Sequence, residues 1–382
     1  MKLKSVLLAV CFPVILFSQE FNQYHQNLVN QVSQANINER LNTFVGFGIK
    51  TTGSNAQQNT LNWLAGLYQS WGYDSIEQQS VNIWGQTGYN LIVTKTGTVY
   101  PDQYIIIDGH YDTIYGPGAN DNGSGTAVIL EIARILKDIP TEYSIKFIHF
   151  TGEEVGLIGS QAYVQNIVIP QNLDIKLVIN IDEVGGVAGM INDTITCERD
   201  LSPPDHNNAD SNLATTQLAN CIEIYSDLNT NFSHAYGSDY VPFQEAGFVI
   251  TGLYESNESP YPHTQNDTVE NMDPEYVYEI TKGTLGAVCF FAKAYQGMGV
   301  NEQQQSSFEV YPNPVKDAFI IKNRQTDKYW VQLNDLSGKN VFSGWFHEPE
   351  IKVNTKDFTP GIYVLNISGN NIHFNQKLIV QP

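Results

Sequence analysis

Two adjacent glutamates, Glu153 and Glu154, follow an apolar stretch of the sequence that is typical of a buried strand. Two carboxylates held side by side repel each other, and at least one of them resists ionisation unless a cation is present. Taken alone, such a pair is more often a solvated turn than a metal site. The pair therefore directs attention to other residues that could share a cation with it.

Further potential metal ligands lie next to other predicted elements. The segments 104–108, 145–150, 176–181 and 248–253 are short apolar runs, which are typical of strands covered on both faces. Four candidates follow these runs and one precedes a predicted helix. The five candidate ligands are His110, Asp121, Glu154, Asp182 and His263. Each alone is often a surface or capping residue, but parallel strands open at one edge of a sheet, so we expect the five to converge.

These five side chains suit a pair of divalent ions. The two histidines can each give one neutral nitrogen, Glu154 and Asp182 can give terminal carboxylates, and Asp121 can bridge the ions, which leaves room for a water molecule between them. No cysteine spacing resembles a zinc knot, so histidines and carboxylates must hold any metal.

The neighbours of the candidate ligands suggest supporting roles. Glu153 remains free to take a proton from metal-bound water and pass it to a leaving amine. Asp112 is placed to accept the second ring proton of His110 and orient the ring, and Asp267 could do the same near His263.

The elements that must position these residues alternate along the chain. Apolar positions at helical spacing predict helices over 124–139, 210–225 and 273–295, with Ser124 as a cap near the start of the first. Strands that alternate with helices predict an α/β/α sandwich with a mostly parallel central sheet.

The sequence divides into four predicted regions. Residues 1–18 have lysines and then an apolar run that is too short to span a bilayer, which favours a cleaved signal peptide over a membrane anchor. An α/β domain is predicted over 19–299 and a polar linker over 300–307. Short strand-like segments divided by turn residues predict a small β-sandwich over 308–382. No other stretch resembles a transmembrane segment.

Charge is distributed unevenly between these regions. The formal net charge is -20, and residues from 301 onward carry equal numbers of acidic and basic side chains. The negative excess therefore lies in residues 1–300. It excludes nucleic acid as a partner and suits metal ions and substrates with a free amino group, although solubility alone could also explain it.

Three cysteines remain beyond the predicted signal peptide. In an exported protein, we expect one disulfide, between Cys197 and Cys221, which leaves Cys289 as a buried thiol.

Five sequence motifs in this order resemble the zinc aminopeptidases of the M28 family over residues 40–295: GHYDT, GANDNGSG, FTGEEVGLIGS, NIDEVG and PHTQNDT. The resemblance implies that the five candidate ligands bind two zinc ions, that Asp121 bridges them, and that Glu153 is the general base. It also implies attack of a bridging water on a peptide carbonyl, with Tyr236 stabilising the oxyanion.

The C-terminal segments FEVYPNPV, DLSGK, GIYVLNI and QKLIV are similar to the sorting domain of the type IX secretion system. This resemblance implies that the secretion machinery is a partner, that the protein reaches the cell surface or the extracellular space, and that the domain is removed during export. The alternative is an adhesive β-module.

These patterns favour a secreted di-zinc aminopeptidase that acts on peptides with a free N-terminus. A carboxypeptidase on the same fold would usually hold the substrate carboxylate with an arginine, and residues 19–300 contain only Arg40, Arg134 and Arg199. A glutaminyl-peptide cyclotransferase needs only one zinc ion. An exported peptide- or glycan-binding protein remains as a non-enzymatic alternative. The segment 190–212 is expected to form a lid or rim that shapes the substrate pocket.

Overall fold

A computed structural model gives the arrangement of two compact units, which divide between Gln296 and Gly297. The residues that the structure describes are 20–235, 237–297, 308–323, 328–335, 338–369 and 372–381. The predicted signal peptide and the predicted linker lie outside the described residues.

The first unit is built on one eight-stranded sheet. Its strands are β1 (Ser75–Ile83), β2 (Gln86–Lys95), β3 (Tyr100–His110), β4 (Tyr143–Phe150), β5 (Asp174–Ile181), β6 (Thr194–Arg199), β7 (Asn229–His234) and β8 (Ile250–Glu255). Their order across the sheet is β1-β2-β4-β3-β5-β8-β6-β7. The four central strands, β4, β3, β5 and β8, run parallel to one another. On either side of them, β2 pairs antiparallel with β4, and β6 pairs antiparallel with β8. The carboxyl ends of the central strands therefore share one edge.

Nine α-helices accompany this sheet in the part of the chain that the structure describes. They are α1 (Gln23–Val29), α2 (Gln34–Gly46), α3 (Asn55–Ser70), α4 (Gly123–Leu136), α5 (Ile158–Tyr163), α6 (Ile169–Gln171), α7 (Asn208–Tyr225), α8 (Val241–Glu245) and α9 (Pro274–Phe291). The predicted helices correspond to α4, α7 and α9. Asn122 caps α4 by accepting from Gly125 N at 2.8 Å, so the cap lies two residues before Ser124.

Apolar side chains cover both faces of the sheet. Ile105 and Ile107 of β3 belong to a large core with α1 to α4, α7 and α9, while Ile106 points to a smaller core with α5 and α8. This alternation is how the two faces of a strand become buried in different layers. The predicted α/β/α sandwich is confirmed.

A buried ion-pair cluster joins α2 to α4. The Glu131 carboxylate, which is fully buried, accepts from the Arg40 guanidinium and from Arg134 Nε and Nη2 at 2.9 and 2.7 Å. Ser33 N at the start of α2 also donates to Glu131, at 2.8 Å. The cluster satisfies the carboxylate that α4 carries toward the N-terminal helices.

Two expectations from the sequence are wrong. Cys197, Cys221 and Cys289 are buried thiols and form no disulfide. They pack in the large core as small apolar side chains, and sequence spacing alone does not show whether two cysteines meet disulfide geometry. The segment 190–212 does not form a single lid loop, because Thr194–Arg199 form β6, a strand of the central sheet, and α7 begins at Asn208.

The second unit contains two antiparallel sheets. One has the order β13-β10-β9 and the other the order β12-β11-β14-β15. The strands are β9 (Phe308–Tyr311), β10 (Ala318–Asn323), β11 (Tyr329–Asp335), β12 (Asn340–Phe346), β13 (Glu350–Asn354), β14 (Gly361–Gly369) and β15 (Ile372–Val380). Alternate side chains from both sheets form one apolar core, as expected for a small β-sandwich.

The described residues include no helix with the length and hydropathy that a membrane span requires.

Candidate metal centre

The five candidate ligands meet at the carboxyl edge of the parallel strands. His110 is the last residue of β3, Glu154 follows β4, and Asp182 directly follows β5. The other two come from loops, one that precedes α4 and one that follows β8; they are Asp121 and His263. The parallel arrangement of β3, β4, β5 and β8 brings these separate segments together.

One donor group contains His110, Asp121 and Asp182. The Nε2 atom of His110 lies 3.2 Å from Asp121 Oδ1 and 3.2 Å from Asp182 Oδ1. The Ser238 hydroxyl donates to the second oxygen, Asp182 Oδ2, at 2.6 Å. This hydrogen bond fixes the orientation of the carboxylate and leaves Oδ1 directed at the donor group.

A second donor group contains Asp121, Glu154 and His263. The Nε2 atom of His263 lies 3.0 Å from Asp121 Oδ2 and 2.8 Å from Glu154 Oε2. Ile114 N donates to Glu154 Oε1 at 3.2 Å. This hydrogen bond holds Oε1 away from the donor group, while Oε2 faces His263. Asp121 thus gives Oδ1 to one group and Oδ2 to the other.

The protonation of the second group shows strong mutual interaction. Burial raises the pKa of Glu154 to about 8, and the charge of Asp121 adds to this effect. Hydrogen bonding to Asp121 raises the pKa of His263 to about 9, against the smaller effect of burial. Burial raises the pKa of Asp121, but hydrogen bonds from His110 and His263 outweigh it and lower that pKa to about 2. Protons bound by these side chains thus offset the repulsion between the carboxylates. A divalent cation at the same place would offset it more directly.

Glu153 lies beside the first group. Its Oε2 atom is 4.0 Å from His110 Nε2, which is too far for a hydrogen bond. Burial raises the pKa of Glu153 well above its ordinary value, opposed by His110 and reinforced by Asp182. Burial lowers the pKa of His110, but Asp182 and Glu153 outweigh it and hold that pKa well above its ordinary value.

The structure gives Asp112 its predicted partner through the backbone oxygen and not the carboxylate, and it gives Asp267 partners that the sequence did not suggest. His110 Nδ1 lies 3.1 Å from the backbone oxygen of Asp112, whereas the Asp112 carboxylate is 3.7 Å away. That carboxylate instead accepts from Glu153 N at 3.2 Å. The Asp267 carboxylate accepts from the backbone N–H groups of Asn120 and Asp121 at 2.8 and 3.0 Å. Asp112 therefore positions the Glu153 backbone, and Asp267 positions the loop that carries Asp121.

Solvent reaches the site from one side. The His263 side chain is 51% exposed, whereas the side chains of Asp121 and Glu154 are nearly fully buried. His263 also has a left-handed backbone with φ 56°, a conformation that costs free energy for a histidine and persists only where the surrounding structure enforces it. The site is therefore open to solvent on the side of His263.

Tyr236, the residue that the family resemblance suggested for the oxyanion, lies outside the described residues. Sequence reasoning missed Ser238 as the partner of Asp182, and it missed Asp239, whose carboxyl is fully buried. Burial raises the pKa of Asp239 to about 7. Both residues lie close to Tyr236 in the sequence, but no sequence pattern marks a hydroxyl that orients a distant carboxylate.

The donor atoms fit a zinc-like cation. Zinc ligands at about 2.0 to 2.2 Å in tetrahedral geometry lie roughly 3.3 Å from one another. The separations of 2.8 to 3.2 Å between the nitrogen and oxygen atoms approach this value. The largely buried cluster contains two imidazoles and three carboxylates. The negative charge of the carboxylates balances the positive charge of divalent cations.

The C-terminal unit has a recognisable counterpart among known domains. Residues 309–381 match the secretion system C-terminal sorting domain. This match indicates export of the protein to the cell surface or the extracellular space.

Curated relatives match the first unit. The chain is 34% identical over 199 residues to aminopeptidase YwaD of Bacillus subtilis, an alignment that covers 50% of this chain and 42% of the relative. The chain thus spans less than half the length of that relative. It is 24% identical over 419 residues to a probable zinc metalloprotease of Pyrenophora tritici-repentis, covering 88% of this chain and 95% of that protein.

Solved structures share the architecture. The crystal structure of LapB from Legionella pneumophila superposes with a TM-score of 0.63 at 24% sequence identity, covering 71% of this chain and 75% of that one. At this identity, the similarity shows the common fold.

The sequence match that identifies the family includes the whole candidate centre. Residues 90–288, just over half of the chain, match peptidase family M28. This stretch contains both donor groups and Glu153. The protein therefore belongs to peptidase family M28.

Proposed function

We propose that the protein is a secreted di-zinc aminopeptidase, which hydrolyses the N-terminal peptide bond of its substrates. The observation that carries this proposal is the pair of three-donor groups that share Asp121 through its two carboxylate oxygens. His110 and Asp182 would hold one ion, Glu154 and His263 the other, and Asp121 both. Zinc bound there supplies a Lewis acid that polarises a carbonyl and lowers the pKa of a nearby water molecule.

Glu153 is the proposed general base and general acid. It lies next to the donor groups without belonging to either of them. The Asp112 carboxylate accepts from Glu153 N and so fixes the backbone of Glu153, and burial raises the pKa of the Glu153 carboxyl well above its ordinary value. Glu153 takes a proton from the attacking water and delivers it to the leaving amine. Tyr236 remains the proposed donor to the developing oxyanion.

Charge supports a substrate with a positive terminus. The chain carries a net charge of -20, and the excess lies in the region that contains the site. A carboxypeptidase would need a cationic group for the substrate carboxylate. Arg40 and Arg134 pair with Glu131, and Arg199 Nη1 donates to Asn212 Oδ1 at 2.8 Å. The arginines of the described first unit thus have other partners, which favours recognition of an amine.

We further propose the domain boundaries predicted from the sequence: a signal peptide over 1–18, a peptidase domain over 19–299, a linker over 300–307 and a sorting domain over 308–382. The sorting domain would engage the secretion machinery, and the peptidase domain would then act outside the cell. The division of the structure between Gln296 and Gly297 supports this proposal.

The proposal is tested with purified full-length protein. We expect about two zinc ions per chain by elemental analysis, one for each donor group. We expect hydrolysis of leucinamide but not of N-acetyl-leucinamide. Removal of the metal with a chelator should abolish turnover, and zinc should restore it.

The same experiment distinguishes the alternatives. Cyclisation of N-terminal glutaminyl peptides with one zinc ion per chain would indicate a glutaminyl-peptide cyclotransferase instead. Cleavage of N-acetylated peptides from the C-terminus would indicate a carboxypeptidase. Zinc-loaded protein without turnover on any of these substrates would indicate a binding protein.

A further inference from the structure

Two exposed aromatic residues lie near the turn that carries Glu153 and Glu154. Trp84 is at the tip of the β1–β2 hairpin and is 77% exposed, and Tyr115 is in the loop after β3 and is 70% exposed. Both have left-handed backbones, with φ 52° and 58°. Bulky side chains rarely adopt this conformation, so the surrounding structure holds both aromatic residues in place.

The backbone around Tyr115 is attached directly to the candidate centre. The preceding residue, Ile114, donates its N–H to Glu154 Oε1 at 3.2 Å. The side-chain amide of Gln265 donates to the Tyr115 carbonyl oxygen. Gln265 belongs to the same loop as His263. The position of Tyr115 is therefore fixed relative to ligands from both of these segments.

The β1–β2 hairpin contacts the same turn from another direction. The Cδ1 atom of Ile83 is so close to Gly152 that it would lie 2.5 Å from a Cβ atom at that glycine. Gly152 directly precedes Glu153, and it has φ 69°, which a glycine adopts without strain. Ile83, the residue before Trp84, thus packs against the start of the Glu153 turn.

The chemistry of the proposed reaction determines which part of a substrate lies here. The general acid must come within hydrogen-bonding distance of the amine that leaves. That amine belongs to the residue that follows the scissile bond. If Glu153 protonates it, this residue of the substrate lies over the turn formed by residues 152–154, next to the two segments that carry Trp84 and Tyr115.

We propose that Tyr115 and Trp84 bind the side chain of the substrate residue that follows the scissile bond, and that they select large apolar or aromatic side chains at this position. This inference rests on the proposed aminopeptidase function. Exposed aromatic rings give large contact area for such side chains at low entropic cost. The family relationship and the metal ligands do not depend on it.

Three substrates with the same N-terminal residue test this proposal in the full-length protein: leucinamide, leucyl-glycinamide and leucyl-phenylalaninamide. The first has no residue after the scissile bond, and the amide ends remove the charge of a free carboxylate. We expect Tyr115→Ala and Trp84→Ala each to lower kcat/KM for leucyl-phenylalaninamide by about threefold to tenfold. Hydrolysis of leucinamide should stay within about twofold of the wild type, because it makes no such contact.

Two further variants separate this role from structural effects. Tyr115→Phe keeps the ring and should retain the preference for leucyl-phenylalaninamide. Trp345→Ala removes a tryptophan that is 56% exposed in the second unit and should leave all three substrates unchanged.

The outcomes distinguish this inference from the function on which it rests. If the wild type hydrolyses leucinamide but Tyr115→Ala and Trp84→Ala keep its ratio of leucyl-phenylalaninamide to leucyl-glycinamide, the aromatic contact is refuted and the aminopeptidase function stands. If the zinc-loaded wild type hydrolyses none of the three substrates, both proposals are refuted.

Discussion

Asp121 links the two donor groups, and its position depends on Asp267. The Asp267 carboxylate accepts the backbone N–H groups of Asn120 and Asp121, one on each oxygen. A carboxylate can accept on both oxygens, whereas an asparagine side chain has only one acceptor atom. The two hydrogen bonds that position Asp121 thus require a carboxylate at position 267.

Replacement of Asp267 by Asn should therefore weaken metal binding. We expect zinc affinity to fall by about tenfold to a hundredfold, as is typical when a partner behind a ligand is lost. Competition with a chromophoric chelator measures the change. Asp205→Asn, at an exposed position away from the donor groups, is the matched control and should bind zinc as the wild type does. Equal affinity of Asp267→Asn and the wild type would refute this role.

The sequence predicted that the five candidate ligands lie close together, but it did not predict which groups position them. Each ligand follows a strand or precedes a helix, so its approximate position depends only on the topology of a parallel sheet. The partners of Asp112 and Asp267 depend on loop conformations, such as the left-handed backbone at His263, that no local sequence pattern specifies. Spacing along the chain places a residue near the site, but it does not say which atom it contacts.

At the scale of single elements, β4 contains a histidine with no role in the site. His149 is fully buried, and its Nε2 lies 2.9 Å from the Tyr68 hydroxyl. Its Nδ1 has no hydrogen-bond partner among the described residues. Burial lowers the pKa of His149 to about 3. The folded protein therefore keeps this imidazole neutral over most of the acidic range.

This buried imidazole should make the stability of the first unit depend on pH. The pKa of a histidine is about 6.5 in the unfolded chain. As the pH falls below that value, the unfolded chain therefore binds a proton at this residue, whereas the folded chain does not. The free energy of unfolding should decrease by about 1.4 kcal/mol per pH unit between about 6.5 and 3 from this group alone. Above pH 6.5 the contribution is constant, because both states are neutral.

Urea unfolding of the metal-free protein at several pH values measures this effect. In the absence of metal, the release of a bound ion at low pH cannot contribute to the change in stability. His149→Gln keeps a neutral group beside Tyr68 and should unfold with a shallower pH dependence, by about one proton per chain. The same slope for both proteins would show that His149 is protonated in the folded state.

The cluster that joins α2 to α4 gives a second test at this scale. Arg40 and Arg134 both bind Glu131, but the Arg40 side chain is 8% exposed and the Arg134 side chain is 29% exposed. Arg40→Met should destabilise the first unit by about 3 kcal/mol, because it leaves a buried carboxylate with one fewer cation. Arg134→Met should cost less, since water can replace part of its interaction.

Denaturant unfolding of the two variants gives the comparison. An equal or larger loss of stability in Arg134→Met would mean that the exposed arginine, not the buried one, maintains the cluster.

The helices α4, α7 and α9 and the central strands were predicted from the sequence, whereas the edges of the sheet were not. The strands β3, β4, β5 and β8 read as apolar runs because both faces are covered. The edge strand β7 has mostly exposed or half-buried residues and carries no such signal. The disulfide prediction failed for a related reason, since the cysteines lie on elements whose packing the sequence does not reveal.

For the whole molecule, the two units have separate cores and separate compositions. Their cores share no residue, and the negative charge belongs to the first unit. The sequence predicts a division in the same part of the chain, because the change from helix-forming to short strand-like segments coincides with the change in charge.

A chain that ends at Gln296 should therefore retain the site. We expect its kcat/KM for leucinamide to stay within about twofold of the full-length value, because all donor groups belong to the first unit. The second unit should instead be required for export, which comparison of the two chains in the secreting host measures. Loss of turnover in the purified shorter chain, with zinc still bound, would show that the second unit takes part in catalysis.

The most direct test of the account is the Glu153→Gln variant, with zinc content and leucinamide turnover measured on the same preparation. The account predicts the same zinc content as in the wild type and a turnover number lower by about 10² to 10⁴-fold, because only the proton-transfer group is lost. A parallel loss of zinc and turnover would contradict it, since Glu153 would then be a ligand and not the base.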